Sequence, residues 1–255
     1  MKIIALQSGS HGNCFYVEAD GVRLLVDAGI SGRQAQLRLK THGRDIHRVD
    51  ALLVSHDHRD HAGCMGVFQR KFGVPVYATR GTMQAAQRRL HLGQMQDVRE
   101  VVPGSPVEFG HVVVHTLPTP HDGADGVAFV IQDARHRVGI LTDLGHVFAE
   151  LPPLLDTLDA VVLESNYDPT LLAEGRYPEF LQRRIRGPGG HLSNEEAGEL
   201  LRAIRGKRLQ WACLAHLSAD NNRPELAQAT HRRMWGPRFE LFVATRDHAS
   251  EVLEV

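Results

Sequence analysis

Cysteine is scarce in this chain: Cys14, Cys64 and Cys213 are the only three, and they form no CxxC pair. An odd number without paired spacing argues against a disulfide framework and leaves a thiolate metal site no obvious pair. Buried, reduced thiols are expected instead. Long apolar runs are missing too, and none approaches the roughly 20 residues a membrane span needs. The opening MKIIALQSGSHGN has an apolar stretch too short for a secretory signal and reads as a first strand. The expected location is the cytoplasm, with no membrane partner. An excess of one charge is also absent: 29 Lys and Arg face 30 Asp and Glu, for a net charge of −1. No global field draws in nucleic acid, so an acidic partner must be held by local patches. Internal repeats and low-complexity linkers are lacking. With 255 residues, 42% hydrophobic and 23% charged, one domain over residues 1–255 with a substantial core is expected.

Histidine is what the chain has in quantity, with 16 residues. The surrounding pattern is strand-rich. KIIALQS, CFYVEA and VRLLVDAG are short apolar segments, and Asp20-Gly21 suits a tight hairpin. A helix is expected over about 31–42. VDALLVS at 49–55 reads as a strand buried on both faces. Met65, Phe68 and Phe72 fall at helical spacing, which predicts one helix from Asp60 to Phe72. VPVYAT and RGTMQAAQRRLH add a strand and a helix. The second half repeats the order: strands PVEFG, VVVHTLP, GVAFVIQD and RVGILTD, a helix over GHVFAELPPLLDTL, and the strand DAVVLES. An irregular segment over 166–190, a helix over 194–204, the strand LQWACLAH, a helix around 224–234 and the strand FELFVAT complete it. Strands then helices, twice over, predict an α/β fold of two sheets packed face to face with helices outside.

The strongest chemical signal is SHDHRDH at 55–61, which supplies His56, His58, Asp60 and His61 directly after a buried strand. Imidazole and carboxylate together suit zinc and similar divalent ions. In an extended loop His56 and His58 point the same way and can share one ion. Asp60 and His61 then turn into a helix and can face a second. One cluster cannot fill two shells. Further candidates stand at strand ends: Asp27 in LLVDAG, His121 in LPTPHDG, Asp143 in GILTDLG and His216 in ACLAHLS.

With these residues in that order, the sequence resembles the metallo-β-lactamase superfamily over essentially its whole length. The HxHxDH motif is His56, His58, Asp60 and His61. The later His, Asp and His of the family match His121, Asp143 and His216. The resemblance implies an αβ/βα four-layer sandwich of two mixed β-sheets flanked by helices, with two divalent metals at one edge. Zinc is the first expectation, with manganese or iron as alternatives. His56, His58 and His121 would hold one ion, Asp60, His61 and His216 the other, and Asp143 would bridge. Asp27 would steady the ligands from behind. Two close ions can hold a hydroxide between them and stabilise attacking and leaving oxygens, which suits hydrolysis. Asp60 can orient that nucleophile or take its proton.

Two further stretches select the bond. GHLSN at 190–194 and AHLSADNN at 215–222 each set a histidine before Leu-Ser. Ser193 and Glu196 form an S-x-x-E capping box at a helix start. His191 has no such structural reason. The segment is similar to that of the tRNase Z-like branch, and closest to the YycJ/WalJ-like exonuclease group. SGSHGNC, TDLGH, ESNYD, GHLSN and AHLSADNN carry that similarity. It implies a phosphate or leaving-group role for His191, oriented by Glu164, and makes Asp60, His191 and Glu164 the catalytic set. A dedicated acid fits phosphodiester cleavage, where an alkoxide leaves. Arg183, Arg184 and Arg186 form a basic cluster suited to phosphate, and Arg232, Arg233 and Arg238 form a second. The implied activity is a two-metal phosphodiester hydrolase on nucleic acid, a 5′-to-3′ DNA exonuclease. The alternatives are a small or cyclic phosphodiesterase, a tRNA 3′-processing-like RNase, a thioester hydrolase, or a metal-stabilised binding protein. The sequence does not fix the oligomeric state.

Overall fold

The computed structural model describes residues 1–206 and 208–255. Six strands of the first half are β1 (Lys2–Gln7), β2 (Cys14–Ala19), β3 (Val22–Val26), β4 (Ala51–Leu53), β5 (Val76–Ala78) and β6 (Val98–Glu100). Seven of the second are β7 (Val107–Phe109), β8 (Val112–Pro118), β9 (Val127–Gln132), β10 (Arg137–Leu141), β11 (Ala160–Glu164), β12 (Trp211–Ala215) and β13 (Glu240–Val243). A last strand, β14 (Leu253–Glu254), returns to pair with β1. The sheet orders are β14-β1-β2-β3-β4-β5-β6 and β13-β12-β11-β10-β9-β8-β7. Each sheet is antiparallel in one part and parallel in the other: β3 to β6 are parallel, and so are β10 to β13.

Burial explains the layers. Period-2 alternation sends Ile3, Phe15, Val26, Phe129, Ile140, Val162 and Trp211 into the space between the sheets. The alternate residues of the first sheet, Ile4, Tyr16, Leu25 and Leu52, pack outward on α1 (Gly32–Thr41), α3 (Met65–Phe72) and α4 (Arg80–Arg89). A short α2 (Arg59–Ala62) precedes α3. The alternate residues of the second sheet meet α5 (Leu151–Leu155), α8 (Asn194–Ala203) and α9 (Pro224–Trp235). Each fully buried Leu, Ile or Phe in these layers is worth roughly 1.5–3 kcal/mol. The result is the αβ/βα four-layer sandwich. The Asp20-Gly21 hairpin is present, with φ of 45° and 84°, as a two-residue turn requires.

Three expectations need correction. The single helix over Asp60–Phe72 is broken into α2 and α3. The carbonyl of Asp60 accepts from Asn13 N (2.7 Å), and Cys64 N donates to Ala28 O (2.8 Å), so the i, i+4 bond that would continue the helix is diverted. The irregular stretch over 166–190 contains α6 (Pro169–Glu174) and α7 (Glu179–Arg186). Asp168 caps α6 by accepting from Thr170 N and Leu171 N, with Pro169 pre-set at the first turn. The helix expected over 145–158 shrinks to α5. Of the three thiols, Cys14 and Cys213 are buried and Cys64 is half-buried. None of the described helices is long and apolar enough to cross a membrane.

Candidate metal centre

The parallel strands run the same way, so their carboxyl ends share one edge, where open α/β sheets hold their sites. Asp27 follows β3, His56 follows β4, His121 follows β8, Asp143 follows β10, Glu164 ends β11 and His216 follows β12. Asp27, Asp143 and His216 have φ of 65°, 54° and 56°. This left-handed region is uncommon for residues with a side chain. It breaks the strand at the edge and swings each side chain off the sheet. Gly145 (φ 74°) carries the chain onward, and a Cβ there would lie 2.7 Å from Pro188 O and 2.9 Å from His121 N. Only glycine lets the loops of Asp143, His121 and His191 close up this far.

The histidine loop is fastened from several sides. Asp57 is turned away from the cluster and fully buried, where it pairs with Arg89 and accepts from Ala124 N at 2.8 Å. That contact fixes the His56–His61 loop against the loop carrying His121. Asp27 accepts from Ser55 N (2.8 Å), Ser55 Oγ (3.0 Å) and His61 Nδ1 (2.7 Å).

Among the described residues, four groups of side chains bring donor atoms within 4.8 Å of one another: His56, His58 and His121; Asp60, His61 and His216; His56, His61 and Asp143; and Asp143, Glu164, His191 and His216. His58 Nδ1 lies 3.2 Å from His121 Nε2. His61 Nε2 lies 3.0 Å from Asp143 Oδ2 and 3.5 Å from Asp60 Oδ2, and His216 Nε2 lies 3.4 Å from Asp60 Oδ2. The other ring nitrogens are held from behind. His121 Nδ1 donates to Gly190 O (2.8 Å), His216 Nδ1 to Glu164 Oε1 (3.2 Å), and His58 Nε2 faces Asp122 Oδ1 at 3.4 Å. An acceptor behind each ring fixes its tautomer and aims the opposite lone pair inward.

The electrostatics suit cations. Burial and the neighbouring His61 push the His56 imidazole well below its usual range, so it is neutral with a lone pair. His56 Nε2 is buried and has no hydrogen-bond partner among the described residues. Burial opposes charge on His61 and His216, but the surrounding carboxylates outweigh it: Asp143, Asp27 and Asp60 hold His61 well above its usual range, and Asp143, Asp60 and Glu164 raise His216 to about 10. Burial works against ionisation of Asp60 and Asp143 too, yet the adjacent histidines hold both far below the carboxylate range. Cationic histidines and anionic carboxylates packed in one buried spot mark a place where positive charge is strongly favoured. Neutral imidazoles and carboxylates around divalent ions meet the same demand, and an orphaned, neutral imidazole nitrogen is a fitting ligand. The residues present fit a pair of divalent ions.

Beside this cluster His191 Nδ1 donates to Glu164 Oε1 at 2.8 Å and lies 3.4 Å from Asp143 Oδ1. The His191 ring centroid is 5.2 Å from that of His216 and 4.9 Å from that of His121. Glu164 is fully buried. Burial raises its carboxyl, but His191 and His216 offset this and hold it at about 2. Its Oε2 accepts from Leu144 N (3.1 Å) and Leu192 N (3.2 Å). The arginines separate. Arg184 Nε donates to Asp122 Oδ2 at 2.7 Å, on the rim beside His58 and His121. Arg183 pairs with Glu179, and Arg186 bonds Gln182, both on the exposed side of α7. Arg232 and Arg233 lie in the last turn of α9, and Arg238 follows it.

Sequence reasoning missed four contributors: Asp57, Asp122, the Gly190 carbonyl and Asn13. Asn13 is buried, with its side-chain oxygen accepting from Ser8 Oγ (3.0 Å) and Gly9 N (2.9 Å) and its amide nitrogen 3.0 Å from His61 Nε2. Its place in the SGSHGNC stretch was the available signal. A loop carbonyl leaves none.

Comparison with known proteins agrees with this geometry. Residues 22–216 match the β-lactamase superfamily domain. The chain is 35% identical over 225 residues to the exodeoxyribonuclease YycJ of Bacillus anthracis, covering 88% of this chain and 84% of that protein. It is 34% identical over 231 residues to the exodeoxyribonuclease WalJ of Streptococcus pneumoniae, covering 90% and 86%. Among solved structures, the metallo-β-lactamase fold protein YhfI of Bacillus subtilis superposes with a TM-score of 0.73 at 17% identity, over 98% of each chain. The likeness in fold and the likeness in sequence point to one place: the chain belongs to the β-lactamase superfamily of metallo-hydrolases, and within it to the group that includes YycJ and WalJ.

Proposed function

We propose that this protein is a two-metal phosphodiesterase that shortens DNA from its 5′ end. His56, His58 and His121 would hold one divalent ion, and Asp60, His61 and His216 the other, with Asp143 shared. When bound, such a pair activates water and stabilises charge on the attacking and leaving oxygens. Asp60, with Oδ2 between His61 and His216, is placed to orient the nucleophile and accept its proton. Asp27 and Glu164 keep the rings of His61 and His216 in one tautomer. His191 bonds Glu164 through Nδ1, which frees Nε2 for substrate. From there it binds the scissile phosphate and gives a proton to the departing sugar oxygen.

The single observation that carries the reading is the His191–Glu164 pair, set beside the seven-ligand cluster but not needed to complete it. A site built only to hold metals has use for Glu164 behind His216 but none for His191. The relatives named as exodeoxyribonucleases support nucleic acid as substrate and DNA as the first choice. The test is a nuclease panel. Purified protein is incubated with 5′- or 3′-labelled DNA and RNA, single- and double-stranded, with zinc, manganese or iron. A small phosphodiester and a glutathione thioester run alongside. Release of mononucleotides from the 5′ label is expected. Absence of nucleotide release under every metal would overturn the reading. Turnover of the thioester alone would move the protein to a different hydrolase class.

A further inference from the structure

Arg184 stands apart from the other arginines in what holds it. Its Nε donates to Asp122 Oδ2 at 2.7 Å. The other oxygen of that carboxylate, Oδ1, lies 3.4 Å from His58 Nε2 and 3.5 Å from His121 Nε2. One carboxylate thus joins the arginine to two rings of the first half-site. The main chain beneath is set just as firmly. Gly187 N donates to Arg184 O (3.2 Å), and His191 N donates to Ile185 O (2.9 Å). A Cβ on Gly190 would collide with both of those carbonyls. The end of α7 is therefore fixed to the backbone of His191. His121, Asp122, Arg184 and His191 line one crevice, which at about 10 Å³ holds no nucleotide. Its rim, not its interior, can meet a ligand.

The form of the Arg184–Asp122 pair says what that ligand is. A guanidinium that only neutralises a carboxylate closes on it with two parallel bonds. Here a single bond is made, through Nε, and Oδ1 is turned to the rings instead. Neither Nη nitrogen bonds a described residue, and the side chain is 58% exposed. The outer prongs of the fork stay open beside the metal centre. Two such prongs match two oxygens of a phosphate. Charge points the same way. Asp122 is 35% exposed and by itself would repel a phosphate approaching the crevice. Arg184 cancels that charge at one edge and offers donors at the other.

We propose that Arg184 holds a backbone phosphate of the DNA, outside the reacting one, through its Nη groups, with Asp122 as the arm that keeps it on the rim beside His58. The proposal rests on the phosphodiesterase reading and names a positioning contact for its substrate.

The experiment uses the metal-loaded protein and a fluorescein-labelled duplex DNA with phosphorothioate linkages, which resist cleavage. Anisotropy is followed across a salt series. Arg184→Ala is expected to weaken binding about tenfold or more. It should also lower the slope of log affinity on log salt by about 0.9, one phosphate contact on duplex DNA. Metal content should stay at the wild-type level. Arg135→Ala, which removes an exposed arginine in the turn between β9 and β10 at the far end of the sheet, is the control and should bind as wild type. On the matching cleavable duplex, Arg184→Ala should raise KM and keep kcat, because a contact away from the reacting atoms is made alike in ground and transition states. Affinity and slope equal to wild type, or shifts no larger than those of Arg135→Ala, would overturn the proposal. So would a lower kcat at unchanged KM, which would make Arg184 only a brace for His191. Nucleotide release by the wild type separates the two readings. If it occurs while the Arg184 variant binds as wild type, the proposal falls alone; if it is absent with every metal, both fall.

Discussion

Glu164→Gln changes one atom in a buried place and should do disproportionate damage. Four donors converge on the carboxylate: His191 Nδ1 and His216 Nδ1 on Oε1, and the Leu144 and Leu192 amides on Oε2. An amide offers one acceptor oxygen and turns its NH2 toward the other pair. If the oxygen stays with the backbone amides, the NH2 faces two ring N–H groups. Two buried donors then lack acceptors, at about 1–3 kcal/mol each, or about 2–6 kcal/mol of stability. For a chain this long that is a melting shift of roughly 5 °C or more. One imidazole can escape by moving its proton from Nδ1 to Nε2. For His216 that move removes the lone pair facing Asp60. Metal affinity should then fall about 10- to 100-fold, the usual cost of losing the acceptor behind a ligating histidine. The assay is thermal melting with and without chelator, plus metal content after dialysis. A Glu164→Gln variant that melts within a degree of wild type and holds both ions would refute the reasoning, because the carboxylate would then not organise the two rings.

The same geometry sets other outcomes. His191→Ala should retain both metals and lose about a hundredfold or more in phosphodiester rate, whereas His216→Ala should lose metal and activity together; metal loss in the His191 variant would break the division of labour. Removing the ions should lower the melting temperature, since ligands that bind only the folded state stabilise it by mass action. His231 is buried with Nδ1 unpartnered among the described residues, and burial holds it at about 4, below its ordinary 6.5. The unfolded chain therefore takes up this proton first as pH falls. The contribution is intact above about pH 6.5 and declines toward pH 4, by about 2 kcal/mol between pH 7.5 and 5. His231→Phe should flatten that part of a urea stability profile. Cys14 and Cys213 are buried, with thiols that burial pushes up, Cys213 to about 12. A thiol reagent should find Cys64 alone in the folded protein and all three after denaturation.

The sequence was legible where an apolar run ends in a chemical residue. β4, β11 and β12 are buried on both faces, so their runs are continuous, and the polar side chains that end each run, Ser55 and His56 after β4 among them, must stand at the sheet edge. That logic reaches His56 and His216 without coordinates, whereas Glu164 was reached through the family resemblance. It fails for Asp57, which sits among ligands in the string of letters. Alternation along the loop turns it to the other side, toward Arg89, and only the position of α4 reveals the partner. It fails for α7 as well. Pro178 and Gly187 bracket the segment, and Leu181 and Ile185 alone make too short an apolar stripe to register as a helix face. The break between α2 and α3 was invisible for a third reason. It is made by Asn13 and Ala28, residues distant in sequence that take over the hydrogen bonds of Asp60 and Cys64.

The two HLS stretches show how far spelling and role can part. Ser193 caps α8 with Glu196 in a full capping box, so the Leu-Ser after His191 serves a helix start. After His216 the chain leaves β12 in a left-handed turn, and Ser218 Oγ instead accepts from Asn221 N. Different local structures thus deliver two histidines to one place. Both rings present Nδ1 to the same oxygen, Glu164 Oε1, at 2.8 and 3.2 Å. A single carboxylate oxygen binding both rings couples the orientation of His191 to that of His216. Loss of the ion beside His216 should therefore also loosen His191. Under the proposed mechanism this coupling would keep the substrate-binding ring in step with the metal-binding one, whereas a storage site for metal would have reason to hold only His216.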